Sequence, residues 1–290
     1  MLEQFQGDFG RGDAVWQRGG SGAKRLHFAA ANGFPVASYQ FFLEHFSSDF
    51  QILGLENRGV WGGPPPSLRF NWQQHASDLI RFLETQPGQQ PVIALGHSIG
   101  ATVSALAAAR RPDLFSALVM YDAASLPGRH LPAFKPLISP WLTGRMGLVR
   151  STRSRRRQWS SHAEFIDYHR PKSAYRNFSE QAFQHYANAV LAKGAQGQYS
   201  LRYDPRWEAH NFRQVDSPWP ALRRIALPTL MLRAEHSTMY QEHSYRWHAR
   251  RCSPYVEHAI LPAVGHMALQ EDVELVVTTT REWLAGKGLL

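Results

Sequence analysis

The sequence of 290 residues holds a single cysteine, Cys252. A lone thiol excludes an internal disulfide framework and fits a reducing compartment. Long apolar runs are also missing, since no stretch approaches the ~20 consecutive apolar residues that a membrane-spanning helix requires. The first residues, "MLEQFQGDFGRGD", lack the basic start and apolar stretch of a secretory leader. No membrane span is therefore expected, and the expected location is cytoplasmic. Acidic residues are scarce in one region only. From Ser125 to Arg224 there are 17 Lys and Arg against 6 Asp and Glu, whereas the remainder has 15 against 17. The formal net charge of +9 thus belongs to one middle segment, with its peak in "RSTRSRRR" at Arg150 to Arg157. Such runs are most often solvated faces. Nucleic-acid binding is not expected, because no zinc-finger spacing and no RNA-recognition sheet signature accompanies the arginines.

What the chain does have is 43% hydrophobic residues, enough for a large core. Six short apolar stretches read as strands: "KRLHFAA", "QILGLEN", "PVIALGH", "ALVMYDA", "PTLMLRA" and "VEHAILP". Several lack polar alternation, as strands buried on both faces of a parallel sheet do. Helical patterns lie between them. In "NWQQHASDLIRFLETQ" the residues Trp72, Ala76, Leu79, Ile80 and Leu83 recur at helical spacing behind Asn71, a capping residue. "EDVELVVTTTREWLA" reads as another helix. The fold class is α/β, with a mostly parallel central sheet flanked by helices. Residues 1–126 and 221–290 are expected to form this core, and residues 127–220, rich in aromatics, prolines and arginines, an inserted, mainly helical cap.

One stretch carries chemistry. "PVIALGHSIGATVSALAAA" places Ser98 between Gly96 and Gly100 where a strand gives way to a helix. Glycines on both sides relieve the crowded turn, which presents the hydroxyl at the carboxyl edge of the sheet. The small residues that follow let the helix pack closely, with its positive dipole end near the serine. A serine hydroxyl is a poor nucleophile near neutral pH and requires a positioned base. His266, in "LPAVGHMAL" after the last expected strand, meets that need at the same edge. His97, beside the serine on a strand end, is expected to point away and to pack structurally. His236, His243 and His248 do not have the spacing of the two-histidine helical zinc motif, and no metal is expected. Attack on a carbonyl creates an oxyanion that calls for two donors. The Ile99 N–H is one candidate, and the Phe34 N–H in "AAANGFPVASY", between Gly33 and Pro35, is the second.

These motifs resemble the α/β-hydrolase superfamily, in particular its capped serine hydrolases with a "H-G-F-P"-like oxyanion loop. The resemblance covers roughly Arg25–Ala123 and Leu227–Leu284. It rests on "GHSIG" in its strand-to-helix context and on "VGHM", while "NGFP" departs from the pattern by placing Asn32 where these enzymes often have histidine. Epoxide hydrolases and haloalkane dehalogenases of this fold carry aspartate at the elbow, so Ser98 argues against both chemistries. The resemblance implies a serine hydrolase that cleaves a small-molecule carboxylic ester through an acyl-enzyme, with no cofactor. Carbon–carbon bond hydrolysis or lyase chemistry on the same fold is one alternative, and a non-catalytic binding protein on this scaffold is another. The triad acid is open between two carboxylates. Asp122 ends the strand "ALVMYDA", at a position resembling the alternative acid site of some haloalkane dehalogenases. Glu235 lies directly beyond "PTLMLRA", in "MLRAEHSTMY", where Thr238 stands at the place in which many relatives have aspartate.

Overall fold

The computed structural model describes residues 1–10, 12–64, 66–67, 69–88, 90–125, 147–239 and 242–290. Its centre is an eight-stranded sheet. In chain order the strands are β1 (Glu3–Asp8), β2 (Asp13–Gly19), β3 (Lys24–Ala29), β4 (Phe50–Leu55), β5 (Val92–His97) and β6 (Phe115–Tyr121). Three short strands, β7 (Gln158–Trp159), β8 (Leu191–Lys193) and β9 (Tyr199–Leu201), make a separate small sheet. The central sheet resumes with β10 (Thr229–Ala234) and β11 (Val256–Leu261). Its spatial order is β1-β2-β4-β3-β5-β6-β10-β11. From β4 to β11 every neighbouring pair is parallel, while β1 and β2 add antiparallel pairs at one edge.

The six apolar stretches are the six parallel strands. Every residue of β5 and β10 is buried, as unbroken apolar runs require when helices cover both sheet faces. The sequence pattern did not reveal β1 and β2. "EQFQGD" is largely exposed, and what holds the hairpin is cross-strand pairing, with Phe5 opposite and stacked on Trp16 at 6.1 Å between ring centroids.

Helix α1 (Trp72–Thr85) starts in a capping box. The Asn71 side chain accepts from the Gln73 N–H at 2.9 Å and the Gln74 side chain accepts from the Asn71 N–H at 2.9 Å. Helix α2 (Ile99–Arg110) is buried over its first ten residues. Its alanines let it lie against β3, β5 and β6.

Between β6 and β10 the described residues contribute nothing to the central sheet. They form helices α3 (Gly147–Arg153), α4 (His162–His169), α5 (Glu180–Val190) and α6 (Pro205–Arg213), together with the small sheet. The three short strands are an addition to the expected helical content. Residues 127–146 of the expected cap lie outside the described residues. Four of the five arginines of the run are exposed, and one is not. Arg150 and Arg153 are exposed on α3, but Arg155 turns inward and forms a two-pronged ion pair with the buried Glu208 of α6, at 2.7 and 2.8 Å. Beyond β10 come α7 (Glu242–Ala249) and α8 (Val273–Gly286), the latter capped by Asp272 and tied to β6 by the Tyr121–Thr280 hydroxyl pair at 2.8 Å.

Candidate active site

The turn between β5 and α2 holds Ser98 at φ 56° and ψ −119°. A residue with a side chain occupies such a conformation at a cost of about 1–3 kcal/mol, so its surroundings must fix it. They do so through the backbone. The Ser98 N–H donates to the Tyr121 carbonyl at 3.0 Å, and the Ser98 carbonyl accepts from Ala124 at 3.0 Å and Thr102 at 3.3 Å. The flanking glycines are required by space. A Cβ at Gly100 would stand 2.1 Å from the Ala29 carbonyl oxygen, and one at Gly96 would stand 2.7 Å from Ala101 backbone atoms.

His266 bridges two groups that lie far from it in sequence. Its Nε2 is 3.0 Å from Ser98 Oγ, and its Nδ1 is 2.6 Å from Asp122 Oδ2. A carboxylate accepts, so Nδ1 carries the hydrogen and Nε2 is left to accept from the Ser98 hydroxyl. Asp122 is 1% exposed and φ is 41° there, at the tight turn that ends β6. Its other contacts also donate. The Ala234 N–H reaches Oδ1 at 3.2 Å and the Ser237 hydroxyl reaches Oδ2 at 2.7 Å. Glu235 is turned elsewhere, accepting from the Ala263 N–H at 2.7 Å on an exposed turn. Of the two carboxylates weighed in the sequence, the structure brings Asp122 and not Glu235 to His266. Ser237, one residue before Thr238, escaped sequence reasoning because its role depends on a partner across the sheet.

His97 is buried and makes a second bridge. The Ala31 N–H donates to the Tyr39 oxygen at 3.3 Å, so the Tyr39 hydroxyl hydrogen is directed to His97 Nδ1 at 2.8 Å. His97 Nε2–H then donates to the His266 carbonyl at 2.8 Å. Burial, reinforced by the nearby His266, pushes the His97 imidazole down to about 3, which keeps it neutral. This chain ties the loop after β3 to the backbone of His266.

The two candidate oxyanion donors differ. As the first residue of α2, Ile99 has an N–H without an intrahelical acceptor. The Phe34 N–H donates to the Ala31 carbonyl at 3.2 Å and closes a turn, so that donor is engaged inside its own loop. Gly33, at φ +82°, makes this turn possible, and a Cβ there would stand 2.9 Å from the Glu208 carboxyl. Asn32 fixes the loop to the segment between β6 and β10. Its Nδ2 donates to the Glu208 carbonyl at 2.9 Å, and its Oδ1 accepts from Asn211 at 3.0 Å and from the Tyr203 hydroxyl at 3.2 Å. From the other side, Glu56 at the end of β4 accepts from the Val36 N–H at 2.8 Å. Burial pushes both Glu56 and Glu208 up to about 7, with hydrogen bonds opposing the shift at Glu56 and Arg155 opposing it at Glu208. Sequence reasoning found Asn32 as a departure but not its partners, which lie more than 170 residues away. Among the described residues no group of three or more His, Cys, Asp or Glu is placed to hold a metal ion.

A mostly parallel sheet with a serine on its strand-to-helix turn and a histidine and carboxylate at the same edge has the architecture of the α/β-hydrolases. Residues 31–273 match the family described as alpha/beta hydrolase fold, and the chain belongs to it. Curated relatives match over a part only. The chain is 29% identical over 111 residues to Karrikin insensitive 2 receptor IA of Petunia hybrida, spanning 36% of this chain and 39% of that one. It is 28% identical over 109 residues to a probable esterase of Oryza sativa subsp. japonica, spanning 35% and 39% respectively. These matches therefore cover about two-fifths of the relatives' length. A solved structure, that of E-2-(acetamidomethylene)succinate hydrolase, superposes with a TM-score of 0.80 at 19% identity, covering 98% of this chain and 100% of that one. At that identity the likeness is one of fold.

Proposed function

We propose that the protein is a serine hydrolase that cleaves a small-molecule carboxylic ester through an acyl-enzyme. The observation that carries this reading is the single hydrogen-bonded line from Ser98 Oγ through His266 to Asp122. Ser98 Oγ attacks the ester carbonyl as its proton passes to His266 Nε2, and Asp122 stabilises the imidazolium that forms. The carbonyl oxygen, now an oxyanion, accepts from the Ile99 N–H. A full negative charge is a stronger acceptor than the Ala31 carbonyl, and on that ground the Phe34 N–H is drawn to it as the second donor. His266 gives its proton to the leaving alkoxide, and the alcohol departs. Water then loses a proton to His266 and attacks the acyl carbon, Ser98 Oγ leaves and regains the proton, and the acid is released. The probable esterase among the relatives supports the substrate class.

The test is covalent labelling by a fluorophosphonate together with turnover of an ester panel of graded acyl length. Wild type should label stoichiometrically and turn over, and Ser98→Ala should do neither while keeping its thermal melting point within a few degrees. A binding role, which the receptor relative raises, predicts no labelling of the wild type. Carbon–carbon bond hydrolysis predicts labelling without ester turnover.

A further inference from the structure

A cleft of about 710 Å³ opens where β9 and the start of α6 meet the turn after β4, and Ser98, His266 and Asp122 do not line it. Five arginines border it against one carboxylate, Asp204. Three of the five are already neutralised. Arg58 makes a two-pronged pair with the buried Asp78, Arg156 pairs with Glu164, and Arg206 pairs with Asp204 at 2.7 Å. The other two, Arg157 and Arg202, make no ion pair among the described residues. Arg202 gives one N–H to the Leu191 carbonyl at 3.1 Å and keeps the rest of its fork. Gly62 and Gly63, where an added Cβ would meet no atom within 4 Å, also line the cleft, as does Trp207.

We propose that this cleft binds the phosphate or diphosphate group of a small molecule, with Arg157 and Arg202 as its recognition groups. Two guanidiniums facing one space offer more donors than a single carboxylate can accept, whereas a phosphate presents several charged oxygens to planar forks. The volume is that of a small-molecule site, and the arginines are gathered around a cleft rather than spread along a stripe.

The experiment is calorimetric titration of the full chain at low ionic strength with inorganic pyrophosphate, ADP and citrate as separate arms. Saturable binding of pyrophosphate is expected at one site per chain. ADP binding more tightly than pyrophosphate identifies a nucleotide-borne group resting on Trp207, and equal affinity identifies the anion alone. Arg157→Gln should weaken binding roughly tenfold, the scale of one charge-assisted hydrogen-bonded contact, and Arg157→Lys should recover only part of it. The Arg157 side chain is exposed and makes no hydrogen bond among the described residues, so its variants should melt as wild type does and remain interpretable. Arg202→Gln should act in the same direction. The proposal is overturned if pyrophosphate does not bind at millimolar concentration, if citrate binds as tightly, if an oligonucleotide binds where pyrophosphate does not, or if Arg157→Gln leaves affinity unchanged.

Discussion

The sheet edge and the arginine-rich segment between β6 and β10 handle charge in opposite ways. At the edge, Asp122 is surrounded by donors from the strand ends themselves, the Ala234 amide, the Ser237 hydroxyl and His266. In the segment, charge meets charge, as Arg155 does with Glu208, 53 positions later, and Arg156 with Glu164, eight positions later. Hydrogen bonds from fixed dipoles hold a carboxylate in one place and one orientation, which suits the role proposed for Asp122 of stabilising a transient imidazolium. Ion pairs at partly buried sites fix packing and are worth little beyond the charge they would otherwise strand. The difference predicts that conservative changes at the edge will cost activity, and that those in the segment will cost stability.

The largest contrast lies between the two carboxylates. Asp122→Asn should lower kcat by about ten-thousand-fold, because an amide at that place no longer selects the tautomer with hydrogen on Nδ1. Glu235→Gln should change kcat less than threefold, roughly the scale of losing one exposed acceptor charge. Steady-state kinetics on one ester checks both. A crippled Glu235→Gln beside an active Asp122→Asn would reverse the roles given to the two strands.

Next in size is the Arg155–Glu208 pair. Glu208→Gln strands a largely buried guanidinium and should cost about 3 kcal/mol in urea unfolding. The Arg155 side chain retains 24% exposure, which moderates the loss. Replacing both partners, as Arg155→Met with Glu208→Leu, should recover most of it, since no charge is then left without a partner. Simple additivity of the two single variants would show that the pair is not coupled.

The loop that both regions share predicts a smaller, mixed effect. Asn32→Ala removes the contacts to Glu208, Asn211 and Tyr203 that join the loop before Phe34 to the segment. On the proposed mechanism, in which the Phe34 N–H serves the oxyanion and not the bound ester, a looser loop should lower kcat about tenfold with little change in KM. An equal rise in KM with unchanged kcat would assign the loop to substrate binding.

What was legible in the sequence follows the same divide. The parallel strands, the capped α1, the Ser98 turn and His266 are set by local rules: apolar runs, a capping box, glycine where a Cβ cannot fit. The hairpin of β1 and β2 was not legible, because β1 is a largely exposed edge strand specified by cross-strand partners such as Phe5 and Trp16. The three partners of Asn32, the Ser237 contact and the inward turn of Arg155 were hidden for the same reason. Each is a pairing across the fold, and nothing in the residues nearby requires it. In the arginine run, four of five side chains are exposed as the pattern suggests, and only Arg155 departs, drawn inside by a glutamate 53 positions later.

The smallest effect concerns acid stability. His97 links the two halves of the site as a neutral imidazole, accepting from Tyr39 and donating to the His266 carbonyl. Protonation would place a hydrogen on Nδ1, facing the Tyr39 hydroxyl that now donates to it. Burial accordingly lowers the imidazole from its ordinary 6.5 to about 3, with the His266 ring acting in the same direction and Asp122 against it. A group whose folded value is depressed contributes stability that is present above its unfolded value and is lost as pH falls towards the folded one. The window for His97 therefore runs from about 6.5 down to about 3. His27, lowered to about 3, and His75 and His169, each lowered to about 4 by burial, act in the same window. Urea midpoints measured from pH 7 to pH 4 should fall steadily for the wild type. His97→Gln retains a donor towards the His266 carbonyl and should cost about 1 kcal/mol at pH 7, one buried hydrogen bond. It also removes one titrating group, so its stability should decline less steeply below pH 6.5, by at most about 1.4 kcal/mol per pH unit. Parallel curves for the two proteins would mean that His97 does not exchange a proton on unfolding in this range, and the neutral bridge would then owe nothing to its burial.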